Sequence, residues 1–149
     1  MSTEPYIRVS VCFKKNPDLT NDQFNDYWAN NHGPLCTKWM KKYGLLRYVQ
    51  MHVDRREVQN LSDTIGWRVA DFDGIADFHV RKMQDFFDAF ADEYYQQTLW
   101  VDEEKFVDHN TTIMTIGYDY TVIENDEVVK EHVRDFKLPQ HMDLKEGTI

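Results

Sequence analysis

The sequence predicts an α+β fold in which one four-stranded sheet carries helices on one face, and three observations predict it. Ile7, Val9, Val11 and Phe13 alternate with Arg8, Ser10 and Cys12, the pattern of a half-buried strand. Aromatic residues recur at helical spacing twice, as Phe24, Tyr27 and Trp28 and again as Phe86, Phe87 and Phe90. Further strand-like runs lie between and after them, so the elements follow in the order β-α-(α)-β-β-α-β. That is the ferredoxin-like split βαβ sandwich. Such a sheet leaves its second face open. Two copies closing their sheets into one barrel, a dimeric α+β barrel, is the simplest way to bury it.

Each element has a local reason. After the first strand, Lys14, Lys15, Asn16, Pro17 and Asp18 form a turn-like link. Thr20 with Gln23 three residues on is a capping-box pattern and opens a helix. His32, Gly33 and Pro34 read as its end. A second helix is predicted from near Leu35 through Trp39 and Met40, stopped by Gly44. Leu45 to His52 reads as the second strand, and the charged stretch from Val53 to Ser62, without periodicity, as a mobile loop. Trp67–Phe72 and Ile75–Val80 together predict a third strand, broken at Asp73 and Gly74, where a glycine often marks a bulge. Met83 to Ala91 reads as a helix. Glu93 to Tyr95 and Thr98 to Asp108 read as a further short helical region, and Thr111 to Ile123 as the last strand. The expected domain is 1–124. A polar extension, 125–149, is expected to prolong a strand through Val128 and Val129 and then to wrap a neighbour or fray.

The chain has 149 residues with a net charge of −9, so it is one domain's worth with an acidic surface. Acidic surfaces repel phosphate backbones, which argues against nucleic acid and anionic membranes as partners. No run approaches the length of a membrane span, and the N-terminus has no signal-peptide pattern. Two cysteines, Cys12 and Cys36, without CxxC spacing, fit a reduced, cytoplasmic setting.

No nucleotide-binding, metalloprotease or nucleophile-elbow motif appears. No two histidines share the i, i+4 spacing of a helical metal pair. Asp77 and His79 share a strand face, which is a weak metal signal beside an acid–base or structural one. The remaining strand faces offer Ser10, Tyr48, Gln50, His52, Asp77 and His79. Together with Cys12 and Ile75 these fit a semi-polar cavity for a flat aromatic ligand. His32 reads equally as a histidine favoured by a helix dipole and as a general acid or base.

The run Pro17-x-Leu19-Thr20-x-x-Gln23-Phe24-x-x-Tyr27-Trp28-x-x-x-His32-Gly33-Pro34 resembles the signature of the EthD domain family, a branch of the dimeric α+β-barrel proteins. The resemblance continues in Tyr43-Gly44-Leu45-Leu46-Arg47-Tyr48-x-Gln50-x-His52, in Phe72-Asp73-Gly74-Ile75-Ala76-Asp77, and in Asp102-Glu103-x-x-Phe106-Val107-Asp108. It covers roughly positions 7 to 118 and is strongest toward the fungal polyketide-tailoring branch. It implies a homodimer and a small aromatic polyketide as partner. His32 falls on the family's histidine, Tyr27 and Trp28 on its aromatic pair, and His52 and Asp77 on strand positions expected to face the cavity.

The implied reaction is decarboxylation of an aromatic polyketide carboxylic acid. It needs no metal and no organic cofactor, because the substrate's own carbonyl takes up the electron pair. The expected acid–base residue is His32, with His79 and His52 as further candidates and Asp77 orienting one of them. Tyr48 and Ser10 are expected to donate to ring oxygens, with Tyr27, Trp28 and Tyr118 also binding the substrate. Dehydration, cyclisation and cofactor-free oxygenation begin with the same enolisation. A non-catalytic polyketide carrier and a heme-binding barrel using His79 are the other readings.

Overall fold

A computed structural model describes residues 6–129. β1 (Ile7–Lys15) leads through α1 (Asn21–Tyr27), a π-helical turn (Trp28–His32) and α2 (Gly33–Lys42) into β2 (Arg47–His52). Then come α3 (Arg55–Ile65), β3 (Gly74–Val80), α4 (Met83–Ala91), a second π-helical turn (Tyr95–Leu99), α5 (Trp100–Glu103) and β4 (Val107–Gly117). A two-stranded hairpin, β5 (Ile123–Glu124) with β6 (Glu127–Val128), closes the described chain.

The sheet order is β2-β3-β1-β4 with antiparallel pairing, which is the split βαβ order. Register fixes the faces. Val9 stands opposite Phe78 and Ile116, and Phe78 opposite Tyr48, so these share the face under the helices. Ile7, Val9 and Phe13 are buried there with Ala76, Phe78 and Val80, as the alternation of β1 predicts. Trp28, Phe24, Phe106 and Leu99 are the large, fully buried residues that the helical segments and the approach to β4 place on that face. The capping box forms: the Gln23 N–H donates to Thr20 Oγ1 at 3.1 Å and the Thr20 N–H to Gln23 Oε1 at 2.9 Å. Gly44 takes φ +72, a backbone that glycine adopts freely, just past the end of α2.

Several expected boundaries differ. His32, Gly33 and Pro34 do not end a helix. The backbone stays helical from Asn21 to Lys42, and at the wider π turn the Gly33 N–H donates to the Trp28 carbonyl. Pro34 falls in the first turn of α2, where a missing N–H costs nothing. Val53 to Ser62 is not a loop but mostly α3. Asp54 caps it by accepting from the N–H groups of Arg56 and Glu57, and Gly66 ends it at φ +86. Its apolar residues Val58, Leu61 and Ile65 fall at i, i+3 and i+7 on one helical face, although none of its residues is buried.

The third strand is shorter than expected, since residues 67–72 pair with nothing in the sheet. Just before Gly74, the Asp73 N–H still donates to the Phe13 carbonyl at 3.0 Å and its carbonyl accepts from the Val53 N–H, while its carboxylate accepts from the Lys15 N–H (2.8 Å) and from Arg55 (2.9 Å). There is also no bulge at Gly74, because β1–β3 pairing runs unbroken from Phe13↔Gly74 to Ile7↔Val80. The helical region after Thr98 stops at Glu103, and β4 starts at Val107 and ends at Gly117 rather than Ile123. The hairpin spans the expected domain boundary at 124. The rest of the expected extension, 130–149, lies outside the described residues.

Candidate active site

Between the helix-covered face of the sheet and the helices lies a cavity of about 750 Å³. Val11, Phe13, Trp28, Phe78, Phe90 and Phe106 make much of its wall, so it suits a flat apolar ligand. Its polar groups include His32, Cys36, Tyr48, Tyr95, Glu103, His109 and Thr112, and among the described residues neither Lys nor Arg lines it. The polar groups arrive on six elements. The first π turn delivers His32, and Cys36 follows one turn later on α2. The second π turn delivers Tyr95, α5 delivers Glu103, β2 delivers Tyr48, and β4 delivers His109 and Thr112. A π turn inserts an extra residue and re-aims the side chains near it, which is why such turns gather at working sites.

His32 is buried, and its Nδ1 lies 2.9 Å from Asp102 Oδ2. Asp102, also buried, accepts the Tyr27 hydroxyl on Oδ1 at 2.5 Å, and Lys105 Nζ stands 3.4 Å from the same oxygen. Burial opposes ionisation of Asp102. The hydrogen bonds from Tyr27 and His32 outweigh it and hold the carboxyl below its ordinary range. Burial also lowers the basicity of His32, and Asp102 only partly restores it. The imidazole is therefore neutral near pH 7, with its Nδ1–H on Asp102 and its Nε2 lone pair turned toward the cavity, where only the weak Cys36 thiol donor meets it.

Around Nε2 stand Cys36 Sγ at 3.3 Å and Glu103 Oε1 at 4.0 Å. Burial pushes the Cys36 thiol up to about 12, with the charges of Glu103 and Asp102 adding to it, so it stays a thiol and a weak donor. Glu103 accepts the Tyr95 hydroxyl at 3.0 Å. Burial raises its carboxyl to about 7, with the Asp102 charge pushing the same way. Two successive carboxyls thus hold different states: Asp102 is ionised and orients the histidine, while Glu103 keeps a proton it can give.

The structure divides the sequence-predicted site residues. Trp28 and Tyr48 line the cavity with His32, and Trp28 Nε1 donates to the Tyr48 hydroxyl at 3.1 Å. Tyr27 stands behind the cavity, holding Asp102. His52 faces a separate polar depression beside α1 and α3, its ring between Asn25 (2.7 Å) and Gln50 (2.9 Å). Ser10, Asp77 and His79 point to the opposite face of the sheet, since Ser10↔Asp77 and Arg8↔His79 alternate with the buried pairs. There Ser10 donates to Asp77, and His79 stacks on Tyr6 at 4.3 Å. Tyr118 is half-buried against the core and does not line the cavity. The expected single polar strand face is thus two faces, because Tyr48, Gln50 and His52 are in register with Phe78, Ala76 and Gly74.

Sequence reasoning missed Asp102, Glu103, Tyr95 and His109 as site residues. Asp102 and Glu103 lie in the Asp-Glu-x-x-Phe run quoted above, which was the available signal. His109 carried none.

Comparison with known proteins adds the following. The EthD domain family matches residues 16–110. A conidial pigment biosynthesis dehydratase of Metarhizium robertsii is 30% identical over 134 residues, covering 87% of this chain and 94% of that protein. A decarboxylase of Aspergillus novofumigatus is 27% identical over 127 residues, covering 83% and 84%. Among solved structures, an EthD-like protein of Ralstonia eutropha overlays with a TM-score of 0.55 at 15% identity, over 83% of this chain and 99% of that one, which is a likeness of fold.

Proposed function

This chain belongs to the EthD domain family, and on that premise we propose that it is a cofactor-independent decarboxylase of an aromatic polyketide carboxylic acid in secondary metabolism. The observation that carries the reading is the pairing of a histidine with a carboxyl, His32 Nε2 and Glu103 Oε1 at 4.0 Å, inside an aromatic cavity that no Lys or Arg lines among the described residues. Such a cavity admits the substrate as the neutral acid, since an anion would find no counter-charge.

His32 Nε2 then takes the carboxylic proton, and Asp102 stabilises the imidazolium formed. The bond to the carboxyl carbon breaks and CO₂ leaves. The electron pair flows onto the neighbouring ring carbonyl, to which Glu103 gives its proton. The imidazolium returns its proton to carbon as Glu103 recovers its own from the enol. Protons and electrons balance with no outside reductant or base.

A second reading is dehydration. The same His32 removes a proton α to a carbonyl, and the same Glu103 protonates the departing hydroxyl. The name of the 30% identical relative favours it. The cytoplasm is the proposed compartment. The second face of the sheet, where Met51 and Ile113 are more than half exposed, is the proposed surface of a homodimer, to be checked by light scattering.

The test is incubation of the purified protein with an aromatic polyketide β-keto acid, with product mass and released CO₂ followed for wild type and His32→Ala. Loss of CO₂ with wild type alone is the expected result. Loss of water instead selects the dehydratase. Tight binding with no turnover in either protein overturns both in favour of a carrier.

A further inference from the structure

β4 pairs with β1 from Arg8↔Gly117 to Cys12↔Ile113, and the pairing resumes at Lys14↔Asp108. Residues 109–112 therefore stand opposite Phe13 alone, a wide bulge in β4. The bulge is built rather than frayed. The Lys14 N–H donates to Thr111 Oγ1 at 2.9 Å, and that hydroxyl donates to the Asp108 carbonyl at 2.6 Å. The Asn110 N–H donates to Asp108 Oδ1 at 3.2 Å.

Bulges re-aim side chains, and this one brings two to the cavity: His109 and Thr112 both line it. His109 Nε2 and Thr112 Oγ1 are buried and have no hydrogen-bond partner among the described residues. Leaving a buried polar atom unmade costs free energy, so two on one wall of a mostly apolar cavity point to a partner that arrives with the ligand.

The geometry says what kind of group that is. The His109 ring lies flat on Trp100, with centroids 3.8 Å apart and planes 7° from parallel. Nε2 is the nitrogen without a partner, and with the imidazole proton on Nδ1 it is a bare acceptor. It stands 4.0 Å from Glu103 Oε2. An oxygen about 2.8 Å from each atom closes a hydrogen-bonded triangle over that gap. The other oxygen, Oε1, faces His32 Nε2 across the same 4.0 Å, so Glu103 has a histidine nitrogen on each side.

We propose that the β4 bulge forms a subsite for a ring hydroxyl of the substrate. The hydroxyl donates to His109 Nε2, and its oxygen rests against Glu103 and Thr112. A bare acceptor selects a hydroxyl and rejects a carbonyl or a methyl ether there. Because Glu103 is shared with His32, the recognised hydroxyl neighbours the reacting carbonyl. The subsite rests on the cavity being the substrate site and is independent of which reaction follows.

The test uses 1-naphthol and 1-methoxynaphthalene as probes, titrated calorimetrically into the purified protein. Wild type is expected to bind the naphthol at least tenfold more tightly. His109→Phe keeps the stack on Trp100, and Thr112→Val keeps the volume. Each is expected to erase most of that preference while leaving methoxynaphthalene affinity unchanged, and His109→Gln, which keeps an acceptor, to recover part of it. Equal affinities for the two probes in wild type, or a parallel fall for both in the variants, would overturn the subsite alone. If neither probe binds wild type, the cavity itself is not an aromatic site, and the proposed function falls with the subsite.

Discussion

His32 Nδ1 lies 2.9 Å from Asp102 Oδ2, and the Tyr27 hydroxyl holds the other oxygen of the same carboxylate at 2.5 Å. The carboxylate is thereby fixed from two sides, and it fixes the tautomer that turns the His32 Nε2 lone pair toward the cavity and the Cys36 thiol. Asp102→Asn keeps the shape but loses the charge that supports the imidazolium. We expect turnover to fall by about 100-fold or more, the usual loss when an acid–base residue is disabled, with little change in KM. Tyr27→Phe removes only the brace and should cost less than about tenfold. Steady-state product formation by the two variants checks both. A near-normal kcat in Asp102→Asn would mean that His32 acts without its partner.

The pH dependence follows from two groups moved in opposite directions. Burial lowers His32, so its base form survives below the ordinary imidazole range. Burial raises Glu103 to about 7, so its acid form persists almost to neutrality. Activity needs His32 unprotonated and Glu103 protonated. The kcat/KM profile is therefore a bell on the acidic side of neutrality: it falls as pH drops through the His32 value and falls as pH rises through about 7. Around the pair, Cys36, Tyr95 and Tyr48 are pushed upward and stay neutral across this range, Asp102 is pushed downward and stays ionised, and burial lowers His109, 4.0 Å from Glu103. Glu103→Gln should lower the plateau and delete the alkaline limb. Its survival in that variant would assign the limb to another group.

Glu103 also sets a stability cost that Glu103→Gln removes. Its folded value, about 7, lies above the 4.5 of an unperturbed glutamate, so between those pH values the folded chain binds more protons than the unfolded one. Stability is fullest below 4.5 and is lost as pH rises through about 7. At about 1.4 kcal/mol for each pH interval of one, the loss is on the order of 3 kcal/mol. Glutamine carries no such cost. Urea unfolding should find Glu103→Gln near wild type at pH 5 and more stable than wild type at pH 8. The reverse order would place Glu103 in water rather than in the cavity.

Most of the fold was legible because its signals are local. The alternation of Ile7 to Phe13, the Thr20–Gln23 box and Gly44 past α2 each follow from backbone chemistry that the sequence writes directly. α3 went unread because the stretch taken as a loop ended at Ser62, short of Ile65, which completes the helical spacing of Val58 and Leu61. The site was half legible. His32, Trp28 and Tyr48, named from the sequence, line the cavity, while Asp77 and His79 were grouped with them because a strand face cannot be assigned without register. The pairing of Gln50 with Ala76, and of Asp77 with Ser10, shows that Tyr48, Gln50 and His52 share the helix-covered face and that Asp77 and His79 lie on the other; His52 lies on the cavity's side of the sheet but opens into a separate depression. His109 was invisible for a related reason: a bulge in β4 aims it, and bulges break the alternation by which strand residues are sorted.

Gly74 gives a last prediction about how the cavity is floored. A Cβ at this position would stand 2.7 Å from Trp28 Cζ3 and 2.9 Å from Phe13 Cε2, closer than carbons approach. Trp28 has nowhere to retreat. Its Nε1 is tied to Tyr48 at 3.1 Å, and its ring packs on His52 at 4.6 Å and Phe13 at 5.0 Å. Gly74→Ala must therefore move the tryptophan or the strand, an overpacking that costs about 1–3 kcal/mol. Gly33→Ala is the matched control. Its Cβ meets the end of the Gln50 side chain at 3.2 Å and the Trp28 carbonyl oxygen at an ordinary 3.4 Å, in a helix where alanine is preferred by about 1 kcal/mol. Thermal melting should show Gly74→Ala lowered by about 4 °C or more with Gly33→Ala near wild type. Because Trp28 lines the cavity, ligand affinity should fall with Gly74→Ala and hold with Gly33→Ala. A Gly74→Ala protein as stable and as tightly binding as wild type would mean that Trp28 does not rest on β3.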